Sequence, residues 1–119
     1  MNQCANCHGP VQVARLSCPA CGLSYEGRFH LPRLARLEPA QQALVEEIVL
    51  AAANLKEVAG SQEISYPTLK KRLDALITAL RDLREEDGAR CQSLLDEVEA
   101  GAIRAEEAAR LIRELNGGA

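Results

Sequence analysis

The chain has 119 residues, a formal net charge of −3, 26% charged and only 3% aromatic residues, with one Phe, two Tyr and no Trp. So few large rings exclude a big hydrophobic core, and modules this small lean on a metal or a partner subunit. No apolar run reaches the ~18 residues of a membrane span and no secretory pattern opens the chain, so the expectation is a cytoplasmic protein with reduced thiols. The charge is uneven: residues 1–37 carry four Arg and one Glu, whereas residues 81–119 carry six bases and ten acids. The net charge argues against a general polyanion binder, and an acidic tail behind a basic-to-neutral front is compatible with DNA binding by one face only.

Residues 1–31 form the first predicted module. Cys4-Ala5-Asn6-Cys7 and Cys18-Pro19-Ala20-Cys21 are two CxxC pairs ten residues apart. Four thiolates in two such pairs suit tetrahedral zinc, because each pair makes a tight turn whose backbone amides face the sulfurs. Gly9 and Gly22 lie just beyond the turns, where left-handed backbone is often needed. Val11, Val13 and Leu16 predict one strand; Tyr25, Phe29 and Leu31 predict a second, with Gly27 as a bulge. The outline is a zinc ribbon. Cys4 to His8 also matches the haem-attachment spacing, but haem would demand export and leave Cys18 and Cys21 unexplained. His8 and His30 are expected at the surface, since four Cys already complete the shell. A closed shell of four thiolates has no open position for catalysis, so the metal is expected to be structural. Arg15, Arg28 and Arg33 are the ribbon's candidates for contact with a partner.

Residues 32–86 form the second. Leu31, Leu34 and Leu37 give the connector a packed three-residue spacing. Pro39 suits the first turn of a helix over Ala40–Ala53 with Leu44, Val45, Ile48, Val49 and Ala52 on one face. Asn54 stops that helix and caps the next. Leu55, Val58 and Ala59 mark a short helix. After a break at Ile64-Ser65-Tyr66-Pro67, Leu69, Leu73, Leu76 and Leu80 mark another, capped by Ser65 and basic at Lys70, Lys71 and Arg72. A short helix, a turn and a capped basic helix make a helix-turn-helix, whose second helix enters the DNA major groove. With the leucines inward, Thr68, Lys71, Arg72 and Ala75 share the outward face, and Tyr66 stands at the leading end. Tyr66, Thr68, Lys70, Lys71 and Arg72 are therefore the candidate DNA-contacting residues. The alternative is that the basic run is a solvated face. The leucine spacing continues to Leu83 as a coiled-coil seam, which serves either to pair two copies or to pack on residues 40–53.

Residues 87–119 form the third. Asp87-Gly88 is expected to break the helix. Cys91, Leu94, Leu95 and Val98 mark a helix stopping near Gly101, and Glu106 to Leu115 a last one. A hairpin of about 30 residues cannot bury enough surface alone and must dock on the chain or on a second subunit. Cys91 reads as a small core residue, and Asn116 to Ala119 as a fraying end.

CPACG at 18–22, YEGRFHLPRLARL at 25–37, NLKEVA at 54–59, ISYPTLKKRLD at 64–74 and EAGAIRAEEAARLI at 99–112 together resemble a bacterial family described as domain of unknown function two thousand and eighty-nine. The resemblance implies a zinc ribbon, a sigma-factor-like helix-turn-helix and a C-terminal helical pair in a DNA-binding regulator. Members read like E-L-G before the Ile-Ser; here Gln62 and Glu63 stand there and a glycine sits earlier, at Gly60.

The expectation is a mostly α protein with a small β zinc ribbon in front, binding zinc and duplex DNA and pairing through the 69–83 seam or the C-terminal hairpin. The rival is a module docking on a protein of the transcription machinery. An enzyme is not expected: there is no Ser/His/Asp set, no phosphate-binding glycine loop and no open metal site.

Overall fold

Alternation and turn chemistry make the first elements. In the computed structural model, which describes residues 3–9 and 11–116, strand β1 (Val13–Ser17) pairs antiparallel with β2 (Ser24–Phe29). Arg15 faces Glu26, Leu16 faces Tyr25 and Ser17 faces Ser24, but Val13 pairs with Phe29. One extra residue on β2 therefore lies between Glu26 and Phe29, where Gly27 was expected to bulge. A 3-10 turn over Arg33–Arg36 follows, and Gln42 ties it down by donating through Nε2 to the carbonyls of Leu37 (2.8 Å) and Ala35 (3.1 Å).

Helix α1 (Pro39–Leu50) opens on its proline, as expected, but ends three residues before Ala53. Ala52 and Ala53 take φ of 52° and 65°, and their N–H groups return to Val49 and Ile48. This is the 6→1 and 5→2 pairing of a Schellman stop, built on alanine where glycine is usual. Asn54 caps α2 (Leu55–Ser61), its side chain accepting the Glu57 N–H at 3.3 Å. The same stop ends α2, with Glu63 at φ 56° and the Ile64 N–H on the Ala59 carbonyl.

Helix α3 (Tyr66–Glu99) corrects the expected break: its 34 residues run unbroken through Asp87-Gly88. A single helical glycine costs only about 1 kcal/mol relative to alanine, which packing along so long a helix overrides. Asp87 is 3% exposed and partnered, so it belongs to an interior and not to a turn. Gly101 at φ 75° stops α3 as anticipated, and α4 (Ala105–Leu115) follows. Of the end expected to fray, residues 117–119 lie outside the described residues.

The chain divides into two compact units, Arg33–Glu85 and a second made of Met1–Pro32 with Glu86–Ala119; α3 contributes to both. In the first, Leu37, Leu44, Val58, Ala59, Leu69 and Leu76 form the buried core, with Leu73, Leu80 and Leu83 packed against it. The leucine seam thus packs on the chain's own core. On α1 the covered positions are Leu44, Val45, Ile48 and Ala51, whereas Val49 is 71% exposed, a correction to its expected place on the inner face. Leu44, Ile48 and Ala51 follow one line along the helix, and Val49, about 100° round from Ile48, falls outside it. In the second unit Leu94 and Ala108 are buried, so the C-terminal helices share a compact unit with the ribbon.

Candidate metal centre and nucleic-acid interface

The two CxxC turns are built alike, bond for bond. In the first, the Cys4 N–H donates to the Gly9 carbonyl (2.8 Å) and the His8 N–H to the Cys4 carbonyl (2.9 Å). In the second, the Cys18 N–H donates to the Leu23 carbonyl (2.7 Å) and the Gly22 N–H to the Cys18 carbonyl (2.8 Å). Closing each turn requires a left-handed residue after the second cysteine. Gly22 supplies it at φ 77°; in the first turn His8 does so at φ 58°. Gly9 serves by being small, since a Cβ there would come within 3.3 Å of the Cys7 sulfur.

This geometry acts on the thiols. The Cys4 thiol is held below its ordinary pKa by the Cys7 backbone N–H first, then by that of Asn6 and by the Cys7 side chain. Cys18 is lowered in the same way by the Cys21 and Ala20 amides and the Cys21 side chain. Amides aimed at sulfur favour the thiolate, the form that binds soft divalent metals. The structure brings the cysteines together in twos. Among the described residues, no group of three or more His, Cys, Asp or Glu side chains stands where it could hold a metal ion. Each turn fits one half of a tetrahedral thiolate shell. The ribbon histidines differ: His8 is exposed, whereas His30, expected at the surface, is half-buried. Its Nε2 has no hydrogen-bond partner among the described residues and lines a cavity of about 110 Å³ with Arg90, Leu94 and Leu111. The C-terminal helices cover it, which no pattern within the ribbon foretells.

The helix-turn-helix sits in Arg33–Glu85. Ser65 caps α3 as expected: its Oγ accepts the Thr68 N–H (3.3 Å) and lies 2.8 Å from the Thr68 hydroxyl. The Thr68 side chain therefore serves the cap as well as the outward face. Tyr66, Thr68, Lys70, Lys71 and Arg72 are all exposed, with Leu69 fully buried behind them. Lys70 faces Asp74 at 3.8 Å, an exposed i,i+4 pair of the kind worth a few tenths of a kcal/mol. Lys71 and Arg72 have no ion-pair partner among the described residues. The start of α3 thus offers a tyrosine hydroxyl, a threonine hydroxyl and two uncommitted cations over about two helical turns. Sequence reasoning missed a groove beside it, lined by α1, Gln62 and the α3 residues Arg72 and Ala75.

Residues 4–35 match the model of the DUF2089 zinc ribbon. Residues 37–82 match that of the domain of unknown function (DUF2089)-HTH. No curated protein and no solved structure gives a significant match.

Proposed function

We propose, from the premise that this chain belongs to the DUF2089 family of zinc-ribbon and helix-turn-helix proteins, that it is a cytoplasmic, non-catalytic transcriptional regulator that reads duplex DNA. One observation carries the reading: the capped start of α3 sets Thr68, Lys71 and Arg72 on an exposed face directly after the turn, with Tyr66 exposed at its leading end. Helix-turn-helix proteins present the N-terminal part of their second helix to base edges in this manner. Lys71 and Arg72 can each reach a base edge or a phosphate, Thr68 and Tyr66 supply hydroxyls, and Lys70 reaches phosphate once its exposed pair with Asp74 opens.

In this reading zinc is held by Cys4, Cys7, Cys18 and Cys21, and the ribbon folds with it. When bound, the ion supplies a crosslink between the two turns. The chain's own contribution is the pair of amide-lined turns that favour the thiolates of Cys4 and Cys18.

The test is duplex-DNA binding by the zinc-loaded protein from low to moderate salt, beside a Thr68/Lys71/Arg72→Ala variant. Phosphate contacts release counterions, so affinity should fall steeply with salt, and loss of two cations should reduce the log–log slope by roughly 2. Absence of binding by either protein, with zinc in place, would end the DNA reading.

A second reading, docking on a protein of the transcription machinery, draws on Val49 and Leu50. They are 71% and 75% exposed at the end of α1, while the chain's net charge is −3. Such docking would show a shallow salt dependence and be lost on Val49→Lys, with α3 left intact.

A further inference from the structure

We propose that the groove between α1 and the start of α3 binds an apolar carboxylic acid, and that its occupant competes with DNA for Arg72. The groove is open to solvent and offers about 590 Å³, within the roughly 300–1,000 Å³ of small-molecule sites. Its size has a simple origin. Ala40 and Ala43 on α1 and Ala75 on α3 line it where larger aliphatics would close the gap, and the buried Leu44 lies among them. The apolar part thus suits a flexible hydrocarbon body.

The polar groups at the groove select the head. Arg72 lines it and has no ion-pair partner among the described residues, and no carboxylate is among the lining residues. Gln41 and Gln62 add carboxamides, each with two N–H donors. A lone guanidinium beside amide donors over an apolar bed complements one carboxylate on an aliphatic chain, because the planar fork meets both carboxylate oxygens. An ammonium there meets the like charge of Arg72, and an alcohol brings no charge opposite to it.

The competition rests on the DNA reading of Arg72; the binding does not. A carboxylate on Arg72 neutralises one of the two uncommitted cations of the α3 face, so acid and duplex should weaken each other by the same factor.

The experiment titrates the zinc-loaded full chain with decanoate, decanol and decylamine below their aggregation concentrations. Calorimetry gives the affinities, and the methyl resonances of Ala40, Ala43 and Ala75 give the location. Decanoate should bind saturably and shift those methyls, decanol about 10-fold more weakly, and decylamine not at all. Ala43→Leu, at an exposed position outside the DNA-contacting set, should abolish decanoate binding while keeping duplex affinity; Ala75→Leu is the second groove-filling variant should the first fail to fold. Arg72→Gln should erase the preference for acid over alcohol. Duplex affinity of the unaltered protein should fall at least about 5-fold at saturating decanoate, the low end of ordinary coupling, and not at all in Ala43→Leu. Equal binding of the three probes, no binding, or shifts away from the three alanines would overturn the site. Saturable decanoate binding with unchanged duplex affinity would overturn the competition. A protein that takes decanoate but binds no DNA refutes the DNA reading and the competition and leaves the acid site standing.

Discussion

Glu63 holds a backbone conformation that an L-residue enters at a cost of about 1–2 kcal/mol and glycine enters freely. Part of the gain from glycine is returned as unfolded-state entropy, so Glu63→Gly should stabilise the protein by roughly 0.5–1 kcal/mol in urea unfolding. A destabilised variant would mean that the Glu63 side chain matters more than its backbone. One turn later, Ser65→Ala should cost about 1 kcal/mol, because the Thr68 N–H loses its acceptor. In the ribbon, amide donors lower the Cys4 and Cys18 pKa values in the folded turn. A depressed folded-state pKa means that ionisation favours the fold above the unfolded thiol pKa, and that this contribution is lost as pH falls through the folded value. Metal-free ribbon should therefore become more ordered as pH rises through the thiol range. Cys4 and Cys18 should alkylate faster near neutral pH than in the urea-unfolded chain; equal rates would deny the amides their effect.

At the scale of elements, α3 is the decisive case. Its continuity through Asp87-Gly88 means that Gly88 is a helix-interior residue with open space around a would-be Cβ. Gly88→Ala should then stabilise the protein by roughly 0.5–1 kcal/mol, whereas a true break there would make the same change neutral or harmful. The leucines before it divide by packing. Leu69→Ala removes a fully buried side chain and should cost about 2–5 kcal/mol, while Val49→Ala, at 71% exposure, should stay within about 0.5 kcal/mol. If the two costs came out alike, the assignment of the seam to the chain's own core would be wrong. Three helices end on the same Schellman geometry, yet only the last places glycine at the left-handed position. A reader of sequence sees Gly101 as a stop and passes over Ala52 and Glu63, since nothing local marks them.

For the molecule as a whole, the discontinuous unit of Met1–Pro32 and Glu86–Ala119 ties the fate of the C-terminal helices to the ribbon. If metal binding supplies the ribbon's folding energy, chelation should lower amide-exchange protection in β1 and β2 and also in residues 86–115. The core of Leu37, Leu44, Val58, Ala59, Leu69 and Leu76 lies within Arg33–Glu85 and should keep its protection. Loss confined to the two strands would show that the C-terminal helices stand without the ribbon. No helix among the described residues is long and apolar enough to cross a membrane.

What the amino-acid order determined unaided was local chemistry: the paired cysteines and their turns, the bulge in β2, the proline start of α1, the caps at Asn54 and Ser65, and the exposed basic start of α3. Each depends on a few residues within hydrogen-bond reach of one another, so a short window of sequence contains the whole cause. Tertiary structure decided the rest: that α3 runs through Asp87-Gly88, that the leucine seam packs on the chain's own core, that His30 is covered, and that three alanines leave a groove beside Arg72. Periodicity tells which residues share a face but is silent on what comes to cover it, because that partner lies tens of residues away along the chain. Packing against such distant residues overrides a local penalty of about 1 kcal/mol, the size of one helical glycine or one left-handed side chain.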